Sequence, residues 1–234
     1  MSFLHLPSHL MYYISPTAEK FIDLYVLSIF IVSSIASILT FYCLIKVRKS
    51  LQSTMRTFFI YIQVVVSMNE VHQDILFDGF PLFPQYAAYC KGVLCDMQVP
   101  MTASFGVVVF LICQVVVAVI ASLSHRHHSI LPIGHRLKID QKKRRAVHIF
   151  LIISLTVPCV AMLFVPVDPV ITDILISKSP YNLTWIRDRG KMYGSLPRSL
   201  LTESACIFML GMLLVATFFF VMMIVHITII LRSE

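Results

Sequence analysis

The chain has 234 residues, of which 58% are hydrophobic and 13% charged, with a formal net charge of +7. Average soluble proteins carry roughly 25% charged residues, and one soluble core does not hide such an apolar excess. The composition therefore excludes an ordinary soluble globule and selects an all-α, polytopic membrane helix bundle, while the six cysteines are too few and too scattered for a small disulfide framework.

Residues 1–20 are mixed and contain Pro7 and Pro16. They lack the basic start and short apolar core of a cleavable signal peptide, so the first membrane span acts as its own targeting signal. Five apolar runs follow, at about 21–45, 57–77, 99–123, 146–167 and 205–231. Each is near or above the ~20 residues that cross ~30 Å of hydrocarbon as a helix, and all are too long for barrel strands. No repeat and no low-complexity linker divides the chain, so residues 1–234 form one transmembrane domain.

Lysine and arginine set the orientation. The first loop holds Lys46, Arg48, Lys49 and Arg56, and the third holds Arg126, Arg136, Lys138 and the run Lys142–Arg145. Basic loops stay cytoplasmic, so the N-terminus is expected outside and the C-terminus inside. The fourth loop, about 168–204, is a mild dissenter with Lys178, Arg187, Arg189, Lys191 and Arg198, but these are spread out among acidic residues. It is placed outside, where the sequon Asn182-Leu183-Thr184 is a candidate glycosylation site.

Most of the specific chemistry lies between Asn69 and Pro100. Asn69, Glu70, Gln73 and Asp74 sit towards the outer end of the second span. Glu70 and Asp74 are a helical turn apart, with Gln73 between them on one polar face. An ionisable group at mid-membrane costs ~2.5–3.5 kcal/mol on insertion scales and normally faces a cavity or a partner. These four residues, with Gln114 in the third span, are the candidate ligand-binding set. The competing reading is a helix end that reaches water. Pro81-Leu82-Phe83-Pro84 then breaks any helix and is expected to form a rigid extracellular turn, followed by Tyr89-Cys90-Lys91-Gly92. Cys90, Cys95 and Cys206 lie on the outer side, where disulfides persist. Cys90 with Cys95 and Cys95 with Cys206 are both compatible with the sequence.

His125-Arg126-His127-His128 ends the third span. Only His125 and His128 have helical ligand spacing, no acidic or cysteine ligand is near, and the loop is basic, so a solvated helix end is favoured over a metal site. The Lys142–Arg145 run is explained by topology and attraction to anionic lipid, and its position between two spans argues against nucleic acid. Pro158 and Pro166 are expected to kink the fourth span. Gln114 and His226 are expected to hydrogen-bond between helices. No nucleophile elbow, zinc-protease, P-loop or dinucleotide motif is present, so the chain is not read as an enzyme and no cofactor is expected.

The Pro81–Pro84 element followed by Tyr89-Cys90-Lys91-Gly92, after a polar second helix, resembles the nematode serpentine chemoreceptors, class I first and class H next. Arg126, His127 and Ile130 look like the class I element after the third helix, with His128 where glutamine is expected. Leu44, Lys46 and Arg56 fit the first loop. The resemblance implies a seven-helix receptor fold, detection of a small molecule or odorant, and coupling to a heterotrimeric G protein, with Arg126, His127 and His128 as candidate coupling residues. It also implies the plasma membrane of a sensory cilium. Two departures stand out: the chain ends after the fifth apolar run, and the fourth loop lacks the cysteine of the usual bridge to the third helix. A truncated receptor is therefore expected that does not signal alone, is retained in the endoplasmic reticulum or depends on another receptor chain. The alternatives are a small transporter or channel using Glu70 and Asp74, and a non-signalling membrane partner of intact receptors.

Overall fold

The computed structural model describes residues 13–46, 53–82, 87–131, 138, 140–163, 169–178, 183–195 and 200–233. Helix α1 runs Pro16–Lys46. Its start is legible in Ser15-Pro16: the Ala18 N–H donates to Ser15 Oγ at 3.1 Å, and proline occupies the first helical position, where its missing N–H is no loss. Helix α2 spans Ser53–Val71 and runs directly into a π-helical turn, His72–Phe77. That turn ends on Asp78, which is left-handed at φ 42°, with its N–H donating to the Gln73 carbonyl at 2.9 Å.

The next segment differs from the expected proline turn. Gly79–Leu82 is strand β1 and Ala87–Cys90 is strand β2, paired antiparallel with Pro81 opposite Ala88. Proline is tolerated because β1 is the edge of a three-stranded sheet ordered β1-β2-β3. Phe83 and Pro84 lie outside the described residues. A short helix α3, Val93–Asp96, precedes the long α4, Met101–Ile130. Helix α5 is Gln141–Leu163 and contains Pro158; Pro166 lies outside the described residues.

The expected fourth loop is also structured in part. It holds α6, Pro169–Lys178, a 3₁₀ turn, Thr184–Asp188, and strand β3, Met192–Ser195, which pairs antiparallel with β2. Helix α7 closes the chain at Leu200–Ser233.

Among the described residues, four helical segments are long and apolar enough to cross a membrane: Pro16–Lys46, Met101–Ile130, Gln141–Ala161 and Leu210–Ile229. The second expected span is α2 with its π-turn. It carries Arg56, Gln63, Asn69 and Glu70, and does not meet the same measure. Burial sorts the spans by role. Over half of the most apolar stretch of α4 (56%) is buried, against 6% for α1 and for α7. The broad apolar faces of α1 and α7 are what acyl chains cover, since lipid is as apolar as leucine.

The chain divides into two compact units. The first takes residues 1–36, 69–108 and 162–199, and the second takes 37–68, 109–161 and 200–234. In the first, Tyr89 and Ile186 are wholly buried and join Leu82, Ala87, Ile176 and Leu183, so the sheet, α6 and the 3₁₀ turn share one core. A neighbouring cluster of Phe77, Cys90, Cys95, Met101 and Val108 seats the π-turn and the start of α4. In the second unit, Cys113 and Val117 of α4 pack on Leu155 and Cys159 of α5.

Candidate functional site

The first unit is organised by a charge that sequence reasoning missed. Glu19, in the first turn of α1, is buried and accepts three donors. Tyr89 Oη donates to its Oε1 at 3.2 Å, Arg189 Nη1 donates to its Oε2 at 2.8 Å, and the Lys91 ammonium pairs with Oε1. Lys91 also reaches Asp23 Oδ2 at 3.1 Å, and Arg189 Nη2 donates to Tyr13 Oη at 2.9 Å. Aromatic rings frame these charges: Tyr89 stacks on Phe80 at 5.0 Å, and the Lys91 ammonium lies 4.7 Å from the Phe80 centroid. Burial opposes the charge on Lys91, but its hydrogen bonds to Glu19 and Asp23 prevail and hold its pKa above the ordinary lysine value. Burial also pushes the Tyr89 phenol up, and the negative charge of Glu19 adds to that.

Beside this network is a cavity of about 130 Å³ between α1 and the π-turn. Asp23, Leu27 and Phe30 wall one side, and Asp74 and Asp78 the other. Burial raises the Asp78 carboxyl above the usual carboxylate range; Asp23 pushes the same way, and Lys91 opposes it. An apolar wall facing carboxylates suits a small molecule that carries a positive charge or a strong donor.

The expected ligand set is not brought together. Asp74 lines the cavity, whereas Glu70 accepts a hydrogen bond from Ser33 Oγ on α1. Gln73 is exposed. Asn69 Oδ1 is buried with no partner among the described residues. Spacing failed here because it assumed a continuous α-helix, and the π-turn changes the angular register after Val71. Gln114 lies in the second unit, where it accepts from Tyr61 Oη at 3.2 Å and donates to Thr156 Oγ1 at 3.3 Å. It bridges α2, α4 and α5, which is a packing role.

The motif residues are spread through the first unit's core. Leu82 and Tyr89 are buried, Cys90 and Cys95 are joined by a disulfide, and Gly92 packs against the π-turn. Cys206 falls on α7, and its side chain is outside those described. Asn182 also lies outside the described residues. The candidate coupling residues diverge. Arg126 is exposed, while His127 Nε2 lies 2.8 Å from His226 Nδ1, tying α4 to α7 within the second unit. The histidine run is therefore not simply a solvated helix end. Helix α4 continues through it to Ile130, and its side chains reach different neighbours.

Several long apolar helices in one chain define a multi-pass helical membrane protein. The family of serpentine type 7TM GPCR chemoreceptors, Sri, matches residues 12–234, and the chain belongs to it. That family is one of receptors and not of enzymes. Neither a curated protein nor a solved structure matches the chain.

Proposed function

We propose that this protein detects a small molecule as a chemosensory receptor at the plasma membrane and passes the signal to a heterotrimeric G protein. Beyond the family itself, the observation that carries this reading is the cavity where Asp74 and Asp78 face Leu27 and Phe30. The ligand class it suits is a small amine or polyol with an apolar part, because a carboxylate rewards a donor and the wall rewards buried carbon. Such a ligand shifts a receptor only through different affinities for two helix arrangements. An ion-transport reading gains nothing from Glu70, which is engaged by Ser33.

The test is ligand-dependent thermal stabilisation of the full chain in lipid nanodiscs, over a panel of small amines, alcohols, ketones and carboxylic acids. Amines or alcohols are expected to stabilise it. Asp74→Asn is expected to weaken the best amine about tenfold, the loss of one charge-assisted hydrogen bond. Selective stabilisation by carboxylic acids, or unchanged amine affinity in the variant, would overturn the assignment of this cavity.

A further inference from the structure

The second unit contains a larger cavity, about 300 Å³, at the start of α2, the end of α4 and the start of α5. Thr54, Phe58, His125, Arg144, Arg145 and His148 line it, and no carboxylate does so among the described residues. Arg144 Nη1 and His125 Nε2 are buried, and neither has a hydrogen-bond partner among the described residues. Buried donors are normally satisfied, and a guanidinium nitrogen without an acceptor is among the costliest to leave so. Arg144 and Arg145, gathered with no carboxylate among the described lining residues, also repel one another. The N-terminal end of α5, where Gln141 contributes to the wall, adds further partial positive charge.

We propose that this cavity binds a phosphate monoester. The Arg144 guanidinium offers a planar fork matched to two phosphate oxygens. His125 and His148 add ring N–H donors, and Thr54 adds a hydroxyl. The space exceeds what one phosphate fills, and Phe58 and Ala121 supply an apolar wall, so the phosphate carries an organic group. Its source is either the phosphorylated headgroup of a lipid in the same leaflet or a soluble phosphate ester. Lys142 and Lys143, in the same basic run, are exposed and do not line the cavity. A diffuse attraction to anionic lipid would use all four charges of the run alike, whereas this site uses Arg144 and Arg145, the two that line the cavity. The site is independent of the small-molecule cavity in the first unit.

The test uses the full chain in phosphatidylcholine nanodiscs with three probes: inorganic phosphate, inositol trisphosphate, and discs containing phosphatidylinositol bisphosphate. Bound phosphate stabilises the folded state by mass action, so melting temperature reads occupancy. Inositol trisphosphate or the bisphosphate discs are expected to raise it more than inorganic phosphate does. Arg144→Gln is expected to weaken the effect about tenfold, and Lys142→Gln by less than about twofold. Stabilisation by bisphosphate discs alone assigns the lipid source, and stabilisation by soluble trisphosphate in plain discs assigns the soluble one. Should Arg144→Gln fail to fold, His125→Gln and Arg144→Lys serve instead, the latter keeping the charge but losing the fork. Equal weakening by Lys142→Gln and the cavity variants, or no response to any probe, would overturn the proposal.

Discussion

Glu19 shows how much one side chain organises when its partners come from distant parts of the chain. Tyr89 and Lys91 belong to the hairpin segment and Arg189 to the segment after the 3₁₀ turn, and all three meet one carboxylate at the start of α1. Glu19→Gln keeps the shape and removes the charge. It is expected to lower stability by about 2 kcal/mol, less than for a fully buried pair because Lys91 and Arg189 keep some exposure. Chemical denaturation of the full chain in micelles measures this, and an unchanged midpoint would refute it. The network also has an alkaline edge. The folded pKa of Lys91 is raised, so its contribution is complete below the unfolded lysine value of about 10.4 and is lost as pH climbs through the folded one. Lys91→Met should flatten that alkaline fall while lowering stability at neutral pH. None of this was legible in the sequence. Glu19 stands in a mixed segment, no local spacing links it to residue 89 or 189, and a carboxylate just before an apolar run reads as a solvated helix start.

At the scale of elements, the long helices were legible because apolar run length is a strong signal, and their ends moved for local reasons. Helix α5 begins at Gln141, so the basic run Lys142–Arg145 is its first turns and not loop. The small elements were not legible. Strands of four residues give too few alternations to read, and Pro81 argued for a turn where an edge strand tolerates it. The π-turn is the least readable of these, because nothing in its apolar pattern announces one extra residue per turn. Gly92 is its visible trace. The Gly92 N–H donates to the Phe77 carbonyl at 3.2 Å, and a Cβ at Gly92 would lie 2.4 Å from the Leu76 carbonyl oxygen. The backbones approach closely enough that only glycine fits. Gly92→Ala is expected to cost about 2 kcal/mol or more, as overpacking does. Faster hydrogen exchange through residues 72–96, with α4 beyond Leu111 unaffected, checks it; uniform protection across both segments would show that the contact yields freely.

Charge is partitioned at the scale of the whole molecule. The second unit holds twelve of the nineteen Lys and Arg but three of the twelve Asp and Glu, leaving seven and nine in the first. The fourth segment's dissenting charges resolve the same way. Arg187 pairs with Asp173, Arg189 with Glu19 and Lys191 with Asp96, so three of its five basic residues are matched by carboxylates within the first unit. Tyr193 also donates to Asp173, and that hydrogen bond, followed by burial, raises its phenol above the usual range. The second unit has no comparable pairing among its described residues, and most of its basic residues fall in two stretches of sequence, 46–56 and 126–145. Unmatched lysine and arginine in short loops is what holds a segment on the cytoplasmic side, because carrying each across the bilayer is unfavourable and no partner reduces that. The expected topology therefore has both basic loops cytoplasmic and residues 79–99 and 168–199 on the opposite face. Glycosylation mapping decides it. Asn182 should be modified in a microsomal translation, and a sequon inserted near Gly134 should not. Modification near Gly134 with Asn182 untouched would reverse the topology. The phosphate cavity would then face away from the cytoplasmic leaflet, and a lipid source for its ligand would fall with it.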